Sequence, residues 1–142
     1  MIEKLIPNKI LNSIINYDCI VIGGIITVED EEGILFVKRS KNEFMANKWE
    51  IPSGNMEKGE SMLQTISREI KEETSLDICK ISKYESSVVY STIDKHCLQL
   101  NFHIYCSGTV ILSNEHSAYK FSDINSIKNH LDTFMLKVFN LI

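Results

Sequence analysis

Residues 54–76 read GNMEKGESMLQTISREIKEETSL, and the rest of the chain is best interpreted as support for the acidic chemistry of this loop and helix. Ser61 is a favourable helix N-cap, and Gln64, three residues later, completes a capping-box pattern. Neither Gly nor Pro interrupts the segment that follows. The pattern therefore predicts a helix that begins near Met62 and continues almost to the end of the stretch.

Apolar residues of this helix predict one buried face. They recur at three- and four-residue spacing, which at about 100° per residue places them on a single side of the helix. The residues concerned are Leu63, Ile66, Ile70 and Thr74. We therefore expect these side chains to pack against the rest of the chain.

Three carboxylates lie beside this face rather than opposite it. Glu69, Glu72 and Glu73 cluster within about a third of a turn of the helix. Like charges at this spacing repel one another, and each pair costs the helix a few tenths of a kcal/mol. A divalent cation would relieve the repulsion, and Mg²⁺ combines a few carboxylates with water and phosphate oxygens. The cluster therefore indicates a Mg²⁺ site suited to phosphoryl transfer to water.

A run of acidic residues is more often a solvated helix face. Here eight positions at fixed spacing resemble the Nudix box of the Nudix hydrolases, which cleave nucleoside diphosphates linked to another group. The matching residues are Gly54, Glu60, Arg68, Glu69, Ile70, Glu72, Glu73 and Leu76. The lead-in that is common in the family is matched by Trp49, Glu50, Ile51 and Pro52. Two positions depart from the pattern, because Ser75 and Ser53 each stand where Gly is usual.

The resemblance implies a set of metal ligands. Glu69, Glu72 and Glu73 would bind the metal, one of them could also act as the base, and the backbone carbonyl of Ser53 would be a further ligand. The segment EHSAYKF resembles the family's acidic loop, which makes Glu115 another candidate ligand or base. The implied cofactor is Mg²⁺, with Mn²⁺ as the alternative.

Further positions of the box have supporting roles. Arg68 is a candidate catalytic residue, because it can brace the acidic cluster or pair with Glu60. Gly54 shapes the loop before the helix. A helix end favours Gly in the left-handed conformation, so Ser75 is expected to cost stability, roughly 1 kcal/mol, rather than catalysis.

Three residues are candidate substrate contacts, and each has a plainer interpretation. Arg39 is either a solvated cation at a strand end or a phosphate contact. Trp49 either packs in the core or stacks on a base. His116 beside the acidic loop either positions substrate or lies on the surface. Phe44 or Met45, in the polar connection before Trp49, could also reach the pocket.

The chain as a whole fits one domain, residues 1–142. Its 44% hydrophobic and 24% charged residues are ordinary for a globular protein, and a net charge of -4 argues against wrapping nucleic acid. The four cysteines show no zinc-ligand spacing, so reduced thiols are expected. The first residues do not resemble a signal peptide, and the apolar runs are too short to span a membrane. We expect a cytoplasmic monomer or homodimer with a small nucleotide as its ligand.

The remaining pattern predicts strands and a closing helix. Residues 19–28 and 34–38 read as strands that form a hairpin. Residues 98–106 alternate apolar and polar side chains, which predicts a strand with one wet face that either lines the pocket or faces solvent. Apolar residues between 127 and 141 recur at helical spacing and predict one core-covering helix. The fold class implied by the resemblance is α+β, a mixed β-sheet sandwiched between α-helices.

The function implied is Mg²⁺-dependent hydrolysis of a nucleoside triphosphate, oxidised or not, to a monophosphate and pyrophosphate. Alternative substrates are ADP-ribose, nucleotide sugars and dinucleoside polyphosphates. Rivals from other classes are a non-catalytic nucleotide sensor, which would not need all three glutamates, and an isoprenoid diphosphate isomerase, whose cysteine and glutamate chemistry finds no place here.

Overall fold

The computed structural model describes residues 2–43 and 45–142, so Phe44 lies outside the described residues. The strands are β1 (Cys19–Val28), β2 (Ile34–Arg39), β3 (Trp49–Glu50), β4 (Ser53–Asn55), β5 (Asp77–Ser91), β6 (His96–Ser107) and β7 (His116–Ser122). The α-helices are α1 (Asn8–Ser13), α2 (Met62–Thr74), α3 (Ile124–Ile127) and α4 (Thr133–Val138). Short 3-10 helices are formed by Ile2–Leu5, Ile14–Asn16 and Lys128–His130.

The strands divide between two sheets. One has the order β4-β1-β6-β5, in which β1 runs parallel to β6, and the other has the order β3-β2-β7. The predicted α+β class with a mixed sheet is confirmed. The predicted hairpin of β1 with β2 is wrong, because hydrogen bonds to β6 and β4 occupy the two edges of β1. Its nearly continuous apolar sequence suits this central position.

Helix α2 begins as the sequence predicts. The Ser61 hydroxyl accepts a hydrogen bond from the Gln64 backbone N–H at 3.1 Å, and the Gln64 side chain accepts one from the Ser61 N–H at 2.8 Å. The capping box is therefore complete, and it fixes the start of the helix directly after the loop that carries Gly54.

The buried face of α2 is rotated relative to the prediction. Its buried residues are Met62, Thr65, Ile66, Ile70, Glu73 and Thr74. Leu63 was expected among them but is 48% exposed, because the sheet meets the stripe that starts at Met62 and continues through Ile66 and Ile70. The same rotation carries the Glu73 carboxylate into the interior of the protein.

Helix α2 ends in the left-handed conformation at Ser75, with φ 67° and ψ 7°. The expectation that a residue other than Gly stands in a Gly-favouring conformation is confirmed. A hydrogen bond partly offsets the backbone strain at Ser75, since its hydroxyl donates to the Ile111 carbonyl at 3.0 Å.

Substitution of Ser75 separates these two effects. Neither Ser75→Gly nor Ser75→Ala retains the hydroxyl, and only alanine keeps a Cβ in the left-handed region. We expect the glycine variant to unfold with a free energy about 1 kcal/mol larger than the alanine variant, as measured by urea denaturation. Equal values for the two variants would show that the helix end carries no backbone strain.

Two apolar clusters lie on opposite faces of the larger sheet. One joins that sheet to α2 and the N-terminal helices, and the other joins it to the smaller sheet and the C-terminal helices. The predicted wet face of β6 is therefore partly wrong. Gln99 and Asn101 are buried under the second layer, while Tyr105 near the end of the strand is 52% exposed.

The C-terminal segment also differs from its prediction as one helix. It forms α3 and α4, each beginning after an aspartate whose carboxylate accepts a backbone N–H. These caps, Asp123 and Asp132, favour two separate helix starts over one continuous helix. Leu141, predicted to cover the core, is 43% exposed.

The helices of the described residues include none that is both long and apolar enough to cross a membrane. Among the same residues the four cysteines are unpaired; Cys97 and Cys106 are buried, and Cys79 is exposed.

Candidate active site

A polar cavity of about 390 Å³ opens between β4, α2 and the start of β7. We name it the acidic chamber, because five glutamates line it. They are Glu50, Glu57, Glu69, Glu73 and Glu115. Arg39, Ser53, Gly54, Asn55 and His116 complete the lining. The structure thus brings together most of the site residues that the sequence predicted.

Glu73 lies deepest among these carboxylates and is only 3% exposed. Burial raises its pKa well above the ordinary value, and a hydrogen bond with Glu69 and the negative charges of Glu69, Glu50 and Glu115 raise it further. The protein groups around Glu73 therefore disfavour its ionised form. A bound cation would reverse this balance, since it would stabilise the charged form.

His116 lies inside the acidic chamber, where its side chain is 2% exposed. The plainer sequence interpretation, a surface loop histidine, is therefore wrong. Its Nε2 lies 2.8 Å from Glu50 Oε2, and its Nδ1 lies 3.9 Å from Glu73 Oε1. A carboxylate only accepts, so Nε2–H donates to Glu50, and Nδ1 is the ring nitrogen that is left to face Glu73.

The His116 Nδ1 atom has no hydrogen-bond partner among the described residues, although it is buried. Ligand atoms of Glu73, Glu115 and His116 lie within 4.8 Å of one another. Two carboxylates and an imidazole whose other nitrogen is held by a carboxylate form a donor set suited to a divalent cation. The residues present therefore fit the cation that the Nudix-box resemblance implies.

Glu69 reaches the chamber because position 54 has no side chain. A Cβ built on Gly54 would lie 1.9 Å from Glu69 Cδ. Gly54 is not among the glycines with positive φ, so close packing rather than backbone conformation requires the glycine. The Glu69 carboxylate is further held by Arg68 Nη1, which lies 2.8 Å from its Oε1.

Arg68 joins the loop to the helix, as the sequence predicted. Its Nε lies 2.7 Å from Glu60 Oε2, and its Nη2 donates to the Asn55 carbonyl at 3.1 Å. The Arg68 hydrogen bond, together with the Glu57 backbone N–H, lowers the pKa of Glu60 to about 2. Glu60 therefore stays ionised and keeps Arg68 fixed beside Glu69.

Glu72 has a different position from the other two glutamates of the motif. Its side chain is 59% exposed, lies 3.5 Å from Arg68 and does not line the acidic chamber. It stands at the outer side of Arg68 in this conformation.

Ser53 precedes the glycine of the loop and lies in β4, where it pairs with Gly23 of β1. It is not among the residues of positive φ, so a serine fits this backbone without strain. The serine side chain is therefore compatible with the role that the resemblance gives to the Ser53 carbonyl.

A second cavity of about 380 Å³ adjoins the acidic chamber. We name it the apolar chamber, because aromatic and aliphatic side chains dominate its wall. They are Val21, Met45, Trp49, Tyr90, Phe134 and Met135. Arg39, Glu50, Ser53, Gly54 and Asn55 line both chambers and form a shared wall. The two cavities together have one charged end and one apolar end.

Trp49 and Arg39 occupy different parts of this arrangement. Trp49 lines the apolar chamber, and Lys120 Nζ lies 4.6 Å from the centroid of its ring. Arg39 lies on the shared wall, where its Nη1 is 3.1 Å from Glu50 Oε2. Both predicted substrate residues therefore face a cavity, while Trp49 also packs against the second apolar cluster.

The model of the NUDIX domain matches residues 20–140 of the chain. The chain belongs to the Nudix family.

Two curated relatives are similar to parts of this Nudix chain. An 8-oxo-dGTP diphosphatase of Escherichia coli K12 is 37% identical over 73 residues, which make up 51% of this chain and 55% of the relative. The 8-oxo-dGDP phosphatase NUDT18 of Danio rerio is 37% identical over 59 residues, 42% of this chain and 18% of the relative. The matched segments thus span about half, or less, of the curated relatives.

A solved Nudix structure supports the fold over a longer range. The crystal structure of a MutT protein from Methanosarcina mazei Go1 superposes with a TM-score of 0.74 and 26% sequence identity. The alignment covers 85% of this chain and 89% of the other.

For four cavity residues of this Nudix chain the sequence predicts no individual role. Glu50 holds both Arg39 and His116, and Gln99, Asp132 and Tyr90 line the apolar chamber. The sequence does contain a signal for Glu50, since it belongs to the lead-in that matches the family, between the predicted site residues Trp49 and Ser53. Gln99 lies on the polar face of β6, for which the sequence predicts either a pocket wall or solvent. Tyr90 and Asp132 come from another strand and a helix start, and the local pattern does not show that they meet there.

Proposed function

We propose that this chain is a divalent-cation-dependent pyrophosphohydrolase that hydrolyses a nucleoside triphosphate, in particular one with an oxidised guanine base, to a monophosphate and pyrophosphate. The observation that carries the proposal is the pair of adjoining chambers. The acidic chamber suits a cation with its phosphates, and the apolar chamber suits a base. Similarity to enzymes named for 8-oxo-dGTP and 8-oxo-dGDP supports the choice of base.

The metal would be Mg²⁺, with Mn²⁺ as the alternative. Glu69, Glu73, Glu115 and the Ser53 carbonyl would hold it, with Glu72 joining from the rim. When bound, it neutralises phosphate charge and polarises the phosphoryl oxygens. His116 fits the same donor set through Nδ1.

The protein groups bind, orient and move a proton. Arg39 on the shared wall contacts phosphate while Glu50 fixes its side chain. Trp49 stacks on the base, and Arg68 keeps Glu69 aligned. A glutamate of the acidic chamber accepts a proton as water attacks phosphorus, the bond to the bridging oxygen breaks, and pyrophosphate leaves.

A hydrolysis assay across a nucleotide panel tests this proposal. The panel contains 8-oxo-dGTP, dGTP and the other deoxynucleoside triphosphates, ADP-ribose, a nucleotide sugar and a dinucleoside tetraphosphate, each with Mg²⁺ and with EDTA. We expect Mg²⁺-dependent release of pyrophosphate, fastest from 8-oxo-dGTP. Turnover of ADP-ribose, the nucleotide sugar or the dinucleoside tetraphosphate but of no triphosphate would assign the enzyme to those substrates instead. No turnover of any nucleotide in the panel would favour a nucleotide sensor.

A further inference from the structure

Three buried polar side chains connect the apolar chamber to the C-terminal helix α4. They are Ser86 on β5 and Gln99 and Asn101 on β6, and each is at most 5% exposed. The strand register places Asn101 between Ser86 on one neighbouring strand and Gly23 on the other. Gln99 lies two residues before Asn101 and therefore on the same face of the sheet.

Hydrogen bonds link these groups in a series, and the donor and acceptor of each bond are fixed by the bond before it. The Ser86 hydroxyl lies 2.5 Å from the Val138 carbonyl, and because a carbonyl only accepts, the hydroxyl must donate. The Ser86 oxygen accepts in turn from Asn101 Nδ2 at 3.2 Å. That fixes the Asn101 amide, whose Oδ1 accepts from Gln99 Nε2 at 2.8 Å. We name this series the amide relay.

The amide relay determines which end of the Gln99 side chain is available to a ligand. The Gln99 Nε2 atom uses one of its two N–H groups to bind Asn101, which directs the carbonyl oxygen Oε1 away from Asn101, and Gln99 lines the apolar chamber. Among the described residues no donor bonds to this oxygen. Unlike His116 Nδ1, the oxygen is not a fully buried atom without a partner. It therefore stays open to the cavity as an acceptor.

Asp132 presents a second acceptor in the same chamber. Its Oδ1 caps α4 by accepting the Met135 backbone N–H at 2.9 Å, and the carboxylate has a second oxygen beyond this bond. An amide carbonyl and a carboxylate are both matched by donors on a ligand. These two acceptors therefore favour a base edge rich in N–H groups.

Gly23 leaves the room that the amide relay needs. A Cβ at this position would lie 2.4 Å from Asn101 Oδ1 and 2.9 Å from Gln99 Nε2, the two atoms that share a hydrogen bond. Any side chain on β1 here would separate the two amides. Three strands thus contribute to the orientation of one amide group.

We propose that Gln99 Oε1 is a specificity-determining acceptor for the base, and that Ser86 and Asn101 are positioning residues that fix its orientation. The proposal rests on the proposed function in assigning the base to the apolar chamber. A guanine-type base offers neighbouring N1–H and N2–H donors, whereas adenine offers a lone pair at N1 that would face an oxygen. The relay therefore favours guanine-type nucleotides over adenine nucleotides.

The test compares kcat/KM for dGTP with kcat/KM for dATP in three variants. Gln99→Met removes the acceptor at similar volume, and we expect the dGTP preference to fall about 10-fold or more, as for the loss of a buried hydrogen bond. Ser86→Ala removes the hydroxyl that fixes the Asn101 amide and leaves Gln99 in place. We expect the dGTP preference to fall about 3- to 10-fold. Ser82→Ala is the matched control, because Ser82 lies on the same strand and donates to a backbone carbonyl, that of His103.

Thermal melting and product binding complete the design. All variants are melted, and calorimetric titration with dGMP and dAMP measures base preference without turnover. A dGMP preference that Gln99→Met and Ser86→Ala lose supports the proposal even if the wild type hydrolyses nothing, in which case only the proposed function fails. An unchanged preference in Gln99→Met overturns the role of Gln99, and a loss in Ser82→Ala equal to that in Ser86→Ala overturns the role of the relay.

Discussion

Glu73→Gln is expected to reduce turnover at least 100-fold while the protein remains folded. The carboxylate lies at the buried centre of the acidic chamber, within reach of Glu115 and His116, and an uncharged amide cannot replace its charge toward a cation. Steady-state hydrolysis with Mg²⁺ measures the effect. Glu31→Gln is the control, because Glu31 is an exposed residue in the turn between β1 and β2. A rate near that of wild type would remove Glu73 from the site.

The same variant has a second expected effect, on the pH dependence of stability. The pKa of Glu73 is raised in the folded, metal-free protein, so the folded state binds this proton more tightly than the unfolded state does. Its contribution to stability is therefore complete below about pH 4.5, the ordinary pKa, and declines as the pH rises above it. Glutamine cannot ionise, so this decline should be smaller in Glu73→Gln.

Melting in EDTA between pH 5 and pH 8 measures this difference. We expect the Tm of wild type to fall more steeply with pH than that of Glu73→Gln. Added Mg²⁺ should raise the Tm of wild type at pH 8 and leave that of the variant nearly unchanged, since a ligand stabilises only the form that binds it. Parallel pH profiles in EDTA would contradict the burial of an ionisable group at this position.

Gly54→Ala is expected to cost about 1–3 kcal/mol of stability and to reduce turnover at least 100-fold. The added methyl group would occupy the space of the Glu69 side chain, 1.9 Å from its Cδ, so the carboxylate must leave its present position. Urea denaturation and the hydrolysis assay measure the two effects.

A double-mutant cycle assigns the stability cost to this one contact. In a Glu69→Ala background the obstructing side chain is absent, so Gly54→Ala should cost less by about 0.5–3 kcal/mol. Gly59→Ala is the matched control in the same loop, because a Cβ at Gly59 meets no atom within 4 Å. Its cost, which comes from a φ of +87°, should be equal in both backgrounds. A Gly54→Ala cost that is independent of Glu69 would contradict the packing explanation.

The local part of the site could be predicted from the sequence because its signals are local. A capping box, a helix period and the spacing of Gly54, Glu60 and Arg68 all depend on residues close in the chain. The burial of the helix could be predicted only approximately. Apolar spacing does not distinguish Leu63 from Met62 as the inner edge, and the carboxylate of Glu73 enters the buried face only through packing against the sheet.

The distant part of the site could not be predicted in this way. The alternation in β6 indicates a strand, but the polar residues Gln99 and Asn101 are buried because a second layer covers them. His116 reads as a loop residue, yet the pairing of β7 with β2 brings it beside Glu50. Sheet order and layer contacts are long-range properties, which the hydrophobic pattern of a single segment does not encode.

The most direct test of the central claim is a crystal structure of the protein with Mg²⁺ and a non-hydrolysable dGTP analogue. We expect the metal and the phosphates in the acidic chamber beside Glu69, Glu73 and Glu115, and the base in the apolar chamber between Trp49 and Gln99. A nucleotide bound outside these chambers, or one whose phosphates lie in the apolar chamber, would contradict the account.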